Sequence, residues 1–142
     1  VRRLAGDAGY SGTPLVAKLG IKAGQRVAIV HGPRGISRTL GALPPDVRLS
    51  DRLAARAPMI VAFATSHARL LRNFALWKRA LARDGSLWVC WPKRSSGAST
   101  DLDENKVRHC GLAGRLVDVK VCAVDATWSG LKFVYRLADR GR

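Results

Sequence analysis

MIVAFATSHARLLRNFALWKRALARDGSLWV, residues 59–89, reads as a strand, a helix and a second strand in one run. Met59 to Thr65 is apolar without alternation, the pattern of a strand covered on both faces. Ser66 then offers a side-chain oxygen to the free amides of a helix start, and the spacing predicts a helix over His67 to Arg83. At 100° per residue Leu70, Phe74, Trp77 and Leu81 fall within about 60° of one another, a core stripe. Asp84-Gly85 is expected to end that helix and launch the next buried strand, Ser86 to Trp91. Two such strands joined by a helix lie parallel, because the crossover carries the chain back to its starting edge.

The same reading extends outward in both directions. Upstream, Thr13 as cap, Pro14 at the first helical position and Gly20 past the end mark a short helix. Arg26 to His31 is a strand with the apolar run Val27-Ala28-Ile29-Val30, followed by a short helix to about Leu40 and a minor strand at Val47 to Leu49. Downstream, Asp101 with Glu104 has capping-box-like spacing before a helix over Asp103 to Cys110. Val117 to Val124 and Leu131 to Leu137 close the chain as a hairpin. Strands alternating with helices predict a single three-layer Rossmann-like α/β domain over residues 9–142, after a flexible start over 1–8. Its sheet is expected to be mainly parallel with a C-terminal antiparallel hairpin.

Composition narrows the partners. The 142 residues carry 25 Lys plus Arg against 10 Asp plus Glu, a net charge of +15, and 47% are hydrophobic. That balance fits a globular domain and attracts anions, acidic surfaces and nucleic acid. The strongest apolar stretch, Pro58 to Ala64, is far shorter than the roughly 20 residues a membrane-spanning helix needs. With no basic-then-apolar leader and three cysteines lacking short spacing, a cytoplasmic setting without membrane partner, disulfide framework or metal is expected. His109-Cys110 has no second ligand pair to complete a zinc site.

Ligands of open parallel sheets lie beyond the carboxyl ends of the strands. That rule gathers His31-Gly32-Pro33-Arg34-Gly35, Thr65-Ser66, Trp91 to Gly97 and Trp128-Ser129-Gly130 on one rim. The candidate ligand residues are Gly32, Arg34, Gly35, Trp91, Lys93, Arg94, Ser95, Ser96, Trp128 and Ser129. Their hydroxyls, bases and indoles suit an anionic small molecule or the acidic segment of a protein partner. The two-glycine loop, with Pro33 removing an amide donor, is neither G-x-G-x-x-G nor a P-loop, although Asp51 falls near the distance of a ribose-binding acid. His31 could approach Ser66 or Ser95, but no carboxylate is placed to orient it, so no catalytic residue is assigned. On the long helix Arg69, Arg72, Arg79 and Arg83 fall within about 80° opposite the core stripe. Such a face can track a nucleic-acid backbone or dock an acidic partner.

Two resemblances follow from these segments. KAGQRVAIV, LARDGSLWV and the closing hairpin are similar to the S-adenosylmethionine-dependent methyltransferase fold in abbreviated form, with HGPRG where that family has a glycine-rich cofactor loop. This implies a methyltransferase-like fold and makes S-adenosylmethionine a conceivable cofactor. GYSGTPLVAKLGIKAG, LWVCWPKRSSGASTDLDE and LVDVKVCAVDATWSGLKFVYR resemble the bacterial family of domain of unknown function 3052, over roughly Gly9 to Arg136. That resemblance implies no catalytic residues. The leading expectation is a non-catalytic binding domain with an anion site at the carboxyl rim. The alternatives are a degenerate methyltransferase-like protein and nucleic-acid binding through the arginine face.

Overall fold

Continuous apolar runs must be covered on both sides, and the chain places two of them side by side. In the computed structural model, which describes residues 12–141, β3 (Ala57–Phe63) runs parallel to β4 (Leu81–Pro92), and Ile60, Ala62, Leu87, Trp88, Val89 and Cys90 are wholly buried. β1 (Arg26–Val30) pairs parallel with β3, and β2 (Arg48–Ser50) pairs parallel with β1. On the other side β6 (Trp128–Tyr135) runs antiparallel to β4, and β5 (Leu116–Ala123) pairs antiparallel with β6 at the edge. Among the described residues the sheet has six strands in the order β2-β1-β3-β4-β6-β5.

Strand side chains alternate between faces, and that alternation builds two cores. Val27, Ile29, Met59, Val61, Phe63 and Trp88 face α1 (Leu15–Leu19) and α2 (Ile36–Leu40). Ala28, Val30, Ile60, Ala62, Leu87 and Trp91 belong to the opposite core with α3 (His67–Ala80) and α4 (Glu104–Ala113). The result is the expected three-layer Rossmann-like α/β fold, with an antiparallel C-terminal pair. The Trp88 indole is buried, and its Nε1–H donates to the Leu19 carbonyl at 2.9 Å. That bond satisfies a polar atom burial would otherwise penalise and fastens α1 to the sheet.

Several boundaries differ from the sequence expectation. α3 stops at Ala80, and Leu81 is already extended (φ −73°, ψ 131°), opening β4 against Ala57. Leu81 is buried either way, so its apolar character did not distinguish the end of the helix from the start of a strand. Asp84-Gly85 therefore lies in a register shift inside β4. A side chain at Gly85 would meet the Ala57 and Pro58 carbonyls at 2.9 Å, so close backbone approach requires the glycine. Arg83 consequently leaves the helix: its guanidinium lies over the Tyr135 ring at 4.8 Å and donates to the Asp139 carbonyl. Pro14, not Thr13, takes the cap position of α1. β1 ends at Val30. Asp103, not Asp101, caps α4, its Oδ1 accepting from the Lys106 amide at 2.8 Å. The expectation for residues 1–8 lies outside the described residues, and no helix among them is long and apolar enough to cross a membrane.

Cys90 and Cys122 flank Gly130 on neighbouring strands. Two strand spacings, roughly 9–10 Å, exceed the reach of a disulfide, about 7 Å between Cα atoms, and all three thiols are free. Burial pushes the Cys90 thiol well up and that of Cys110 to about 11, so both act as small apolar groups. Edge strand β5 exposes Val119 and Val121. Lys120 Nζ donates to the Lys18 carbonyl and Lys18 Nζ to the Ala123 carbonyl, so two ammonium groups clasp α1 to this edge. A register shift between Asp118 and Lys120 adds a local bulge.

Gly111 lies within α4, where Ala ordinarily improves a helix by roughly 1 kcal/mol. Here an added methyl would sit inside the Phe133 ring, itself fully buried. Overpacking typically costs about 1–3 kcal/mol, so the sign reverses. Gly111→Ala is expected to lower the thermal midpoint, measured by circular dichroism.

Candidate functional site

The parallel strands end on a common rim, and a hollow of about 390 Å³ opens there. His31 enters it from the end of β1, Phe63 and Thr65 from the end of β3, and Trp128 from the first position of β6. Arg69, Arg72 and Asn73 reach it from the first two turns of α3. Trp128 is half-buried and meets Phe63 edge-on, with ring centroids 5.0 Å apart, which fixes an aromatic wall.

Local chemistry holds each contributor in place. Ser66 Oγ accepts from the Arg69 amide at 3.2 Å, and Asp101 Oδ1 accepts from the His67 amide at 2.8 Å. Two of the four unpaired amides of the α3 start are thus satisfied, one of them from a distant loop. Thr100 Oγ1 donates to the Thr65 carbonyl at 2.8 Å, tying the same loop to the end of β3. Asn73 Nδ2 donates back to the Arg69 carbonyl. Asp125 Oδ1 accepts from the Thr127 and Trp128 amides, both at 2.8 Å, setting the turn that delivers the indole. His31 has φ 57°, a left-handed conformation that costs a non-glycine residue roughly 1–2 kcal/mol. Strained backbone at a cleft is a common mark of a functional position.

The electrostatics are one-sided. Among the described residues no carboxylate lines the hollow. The nearby Asp101 and Asp125 are occupied with backbone amides. Among the described residues neither the Arg69 nor the Arg72 guanidinium has an ion-pair or side-chain hydrogen-bond partner.

The structure divides the residues expected on the rim. Trp128 lines the hollow, joined by His31 and Thr65 from the same rim segments. Trp91 is 5% exposed and packs in the core on the α3 face, because the final residues of β4 are still covered. Lys93 donates its amide to the Thr127 carbonyl, and Arg94 pairs with Asp103 at 3.7 Å. Ser95 and Ser96 form a single helical turn in which Ser96 Oγ donates to the Lys93 carbonyl. Ser129 lines a separate groove with Lys120 and Cys122. Gly32, Arg34 and Gly35 are not among the lining residues. Space at Gly32 is taken by Ile29 and Ile36, and Gly35 has φ 83° as the cap of α2, so local folding accounts for both glycines. The arginine face splits as well: Arg69 and Arg72 turn into the hollow, Arg79 lies farther along α3, and Arg83 belongs to β4. Asn73 was not singled out in the sequence, although it lies one turn beyond Arg69 and was legible as part of the same helix side.

No family model matches this chain, and no curated protein does. Solved structures do match. A protein of Thermoplasma acidophilum described as a methyltransferase is 9% identical with a TM-score of 0.56, covering 88% of this chain and 75% of its own. A ribosomal protein L11 methylase from Lactobacillus delbrueckii subsp. bulgaricus is 15% identical with a TM-score of 0.55, over 86% and 75%. A protein of Sulfolobus solfataricus described as a type 11 methyltransferase is 15% identical with a TM-score of 0.58, over 86% and 89%. At these identities the likeness shows the fold. The chain has a methyltransferase-like Rossmann architecture.

Whether the rim suits S-adenosylmethionine is a question of charge. That cofactor carries a sulfonium and an ammonium against one carboxylate, and its ribose hydroxyls need acceptors. Among the described residues that line the hollow, two guanidiniums and no carboxylate oppose a cation and offer donors where acceptors are needed. The described lining of the hollow does not fit it.

The loop contact that positions α3 is pH-dependent. The His67 amide holds the Asp101 carboxyl below its ordinary value, against a smaller opposing effect of desolvation. A carboxylate with a lowered folded pKa stabilises the fold above its unfolded value, and the contribution is lost as pH falls through the lowered one. Asp101→Asn is expected to flatten the acid limb of stability below about pH 4 while leaving the neutral-to-alkaline limb's shape unchanged. Urea titrations across pH 2–7 would check this.

Proposed function

We propose that this chain is a binding domain for an anionic small molecule, held at the carboxyl rim of a methyltransferase-like sheet. The observation that carries the reading is the pair Arg69 and Arg72, turned into a hollow where no described residue offers a carboxylate to neutralise them. In this reading the two guanidiniums grip phosphate or carboxylate oxygens, Thr65, Asn73 and His31 add polar contacts, and Trp128 covers an apolar part of the ligand. Charge-assisted hydrogen bonds are stronger than neutral ones, and the net charge of +15 raises the local anion concentration. The reading includes a cytoplasmic setting, and membership of the domain of unknown function 3052 family on the three segments that resemble it.

The test uses inorganic pyrophosphate, followed by the Trp128 Nε1–H signal in nitrogen-15 spectra. A saturable shift is expected, along with at least tenfold weaker binding in Arg69→Gln/Arg72→Gln. Loss of charge-assisted bonds at about 1.5–3 kcal/mol each supports that minimum. S-adenosylmethionine is expected to bind at least tenfold more weakly than pyrophosphate. An unmoved Trp128 signal, or a double variant that binds as well as the parent, would overturn the proposal. Tighter binding of duplex DNA or of an acidic peptide, with steep salt dependence and an added loss in Arg79→Gln, would replace it with a macromolecular surface.

A further inference from the structure

The helices leave part of the sheet uncovered along its β1–β2 edge. α3 and α4 belong to the core over β3, β4, β6 and β5, while α1 and α2 pack on the other face. On the α3 side of β1 and β2 the covering comes from the segment after β2, where Leu53 packs against the core. A groove of about 420 Å³ opens beside it, with Ala28, Ala54, Ala57 and Pro58 among its lining residues. A mostly apolar hollow of this size lies within the range of small-molecule sites.

Its charged groups are three arginines, with the Ser50 hydroxyl beside them. Arg26 and Arg48 are register partners on adjacent parallel strands, so they stand side by side on one face, and Arg52 lines the same groove. Like charges directly opposite each other on a sheet destabilise it. Here, among the described residues, no carboxylate lines the groove and none pairs with the three guanidiniums. Arg26 donates to the Arg56 carbonyl at 3.4 Å, whereas Arg48 and Arg52 have no side-chain bond among the described residues. An apolar floor edged by three uncompensated guanidiniums is complementary to a molecule with an apolar body and an anionic head.

We infer that this groove is a second ligand site, for a small anionic amphiphile. An aromatic or branched aliphatic body rests on Ala28, Ala54, Ala57 and Pro58, and a phosphate or carboxylate head is held by Arg48 and Arg52, with Arg26 beside them. The site is separate from the hollow at the rim, since the two share no lining residue.

The probe is 1-naphthyl phosphate, titrated into protein labelled at alanine methyls. Saturable shifts of the Ala28, Ala54 and Ala57 methyls are expected, with at least tenfold weaker binding in Arg48→Gln/Arg52→Gln. Both positions are outside the buried core. Relief of like-charge repulsion predicts a double variant that melts no lower than the parent, and its Trp128 response to pyrophosphate should be unchanged. Uncharged 1-naphthol is expected to bind at least tenfold more weakly than the phosphate. Shifts confined to Trp128 and its neighbours would overturn the inference, as would equal binding by the double variant or by 1-naphthol. Failure of pyrophosphate at the rim leaves these readouts intact, so the two proposals fail separately.

Discussion

Everything else in this molecule answers the demand made by β3 and β4. Two adjacent strands, apolar on both faces, cannot meet water on either side, and their backbone groups are satisfied by each other and by their neighbours. One face recruits α3 and α4, the other α1 and α2. The parallel sense of the pair then places the strand ends on one rim, and the turn at Asp125 brings Trp128 back to it. The candidate site is thus a geometric consequence of how the central strands are buried.

Much of this was readable because burial leaves a periodic trace. Met59–Phe63 and Leu87–Trp91 announce themselves as buried strands, Ser66 as a cap, and Leu70, Phe74 and Trp77 as a core stripe. What escaped was what the trace does not encode. Leu81 is buried at a point where helix and strand require the same apolar residue, so the length of α3, and with it the place of Arg83, was decided by pairing with Ala57. Asp101 was legible as a cap but not as the cap of another element, since its partner amide belongs to His67, thirty-four residues away. Trp91 shares the rim's sequence neighbourhood yet points into the core, a distinction set by strand parity and by what covers the last residues of β4.

The arginines show the same division between local and tertiary information. In the sequence they form a diffuse positive background. In the fold some are neutralised or bonded: Arg94 meets Asp103, Arg108 bridges Glu104 and Asp118, and Arg83 lies on Tyr135. Others face concave surfaces where no described residue is an acid. The useful variable is therefore the absence of a counter-charge at a concavity, which composition alone does not reveal. Shared architecture with methyltransferases does not override this, because a scaffold can be kept while the chemistry of its rim changes.

The clasp on β5 has a consequence for how the protein behaves in a crowd. An eight-residue edge strand with two exposed valines is a template on which a further strand could stack. Lys18 and Lys120 stand across that approach as ammonium groups, tied to carbonyls of the very elements they protect. The guard is electrical as much as steric, since an incoming strand meets two ammonium groups beside this margin. The protection of this edge therefore rests on where two charges stand, and not simply on the overall positive charge.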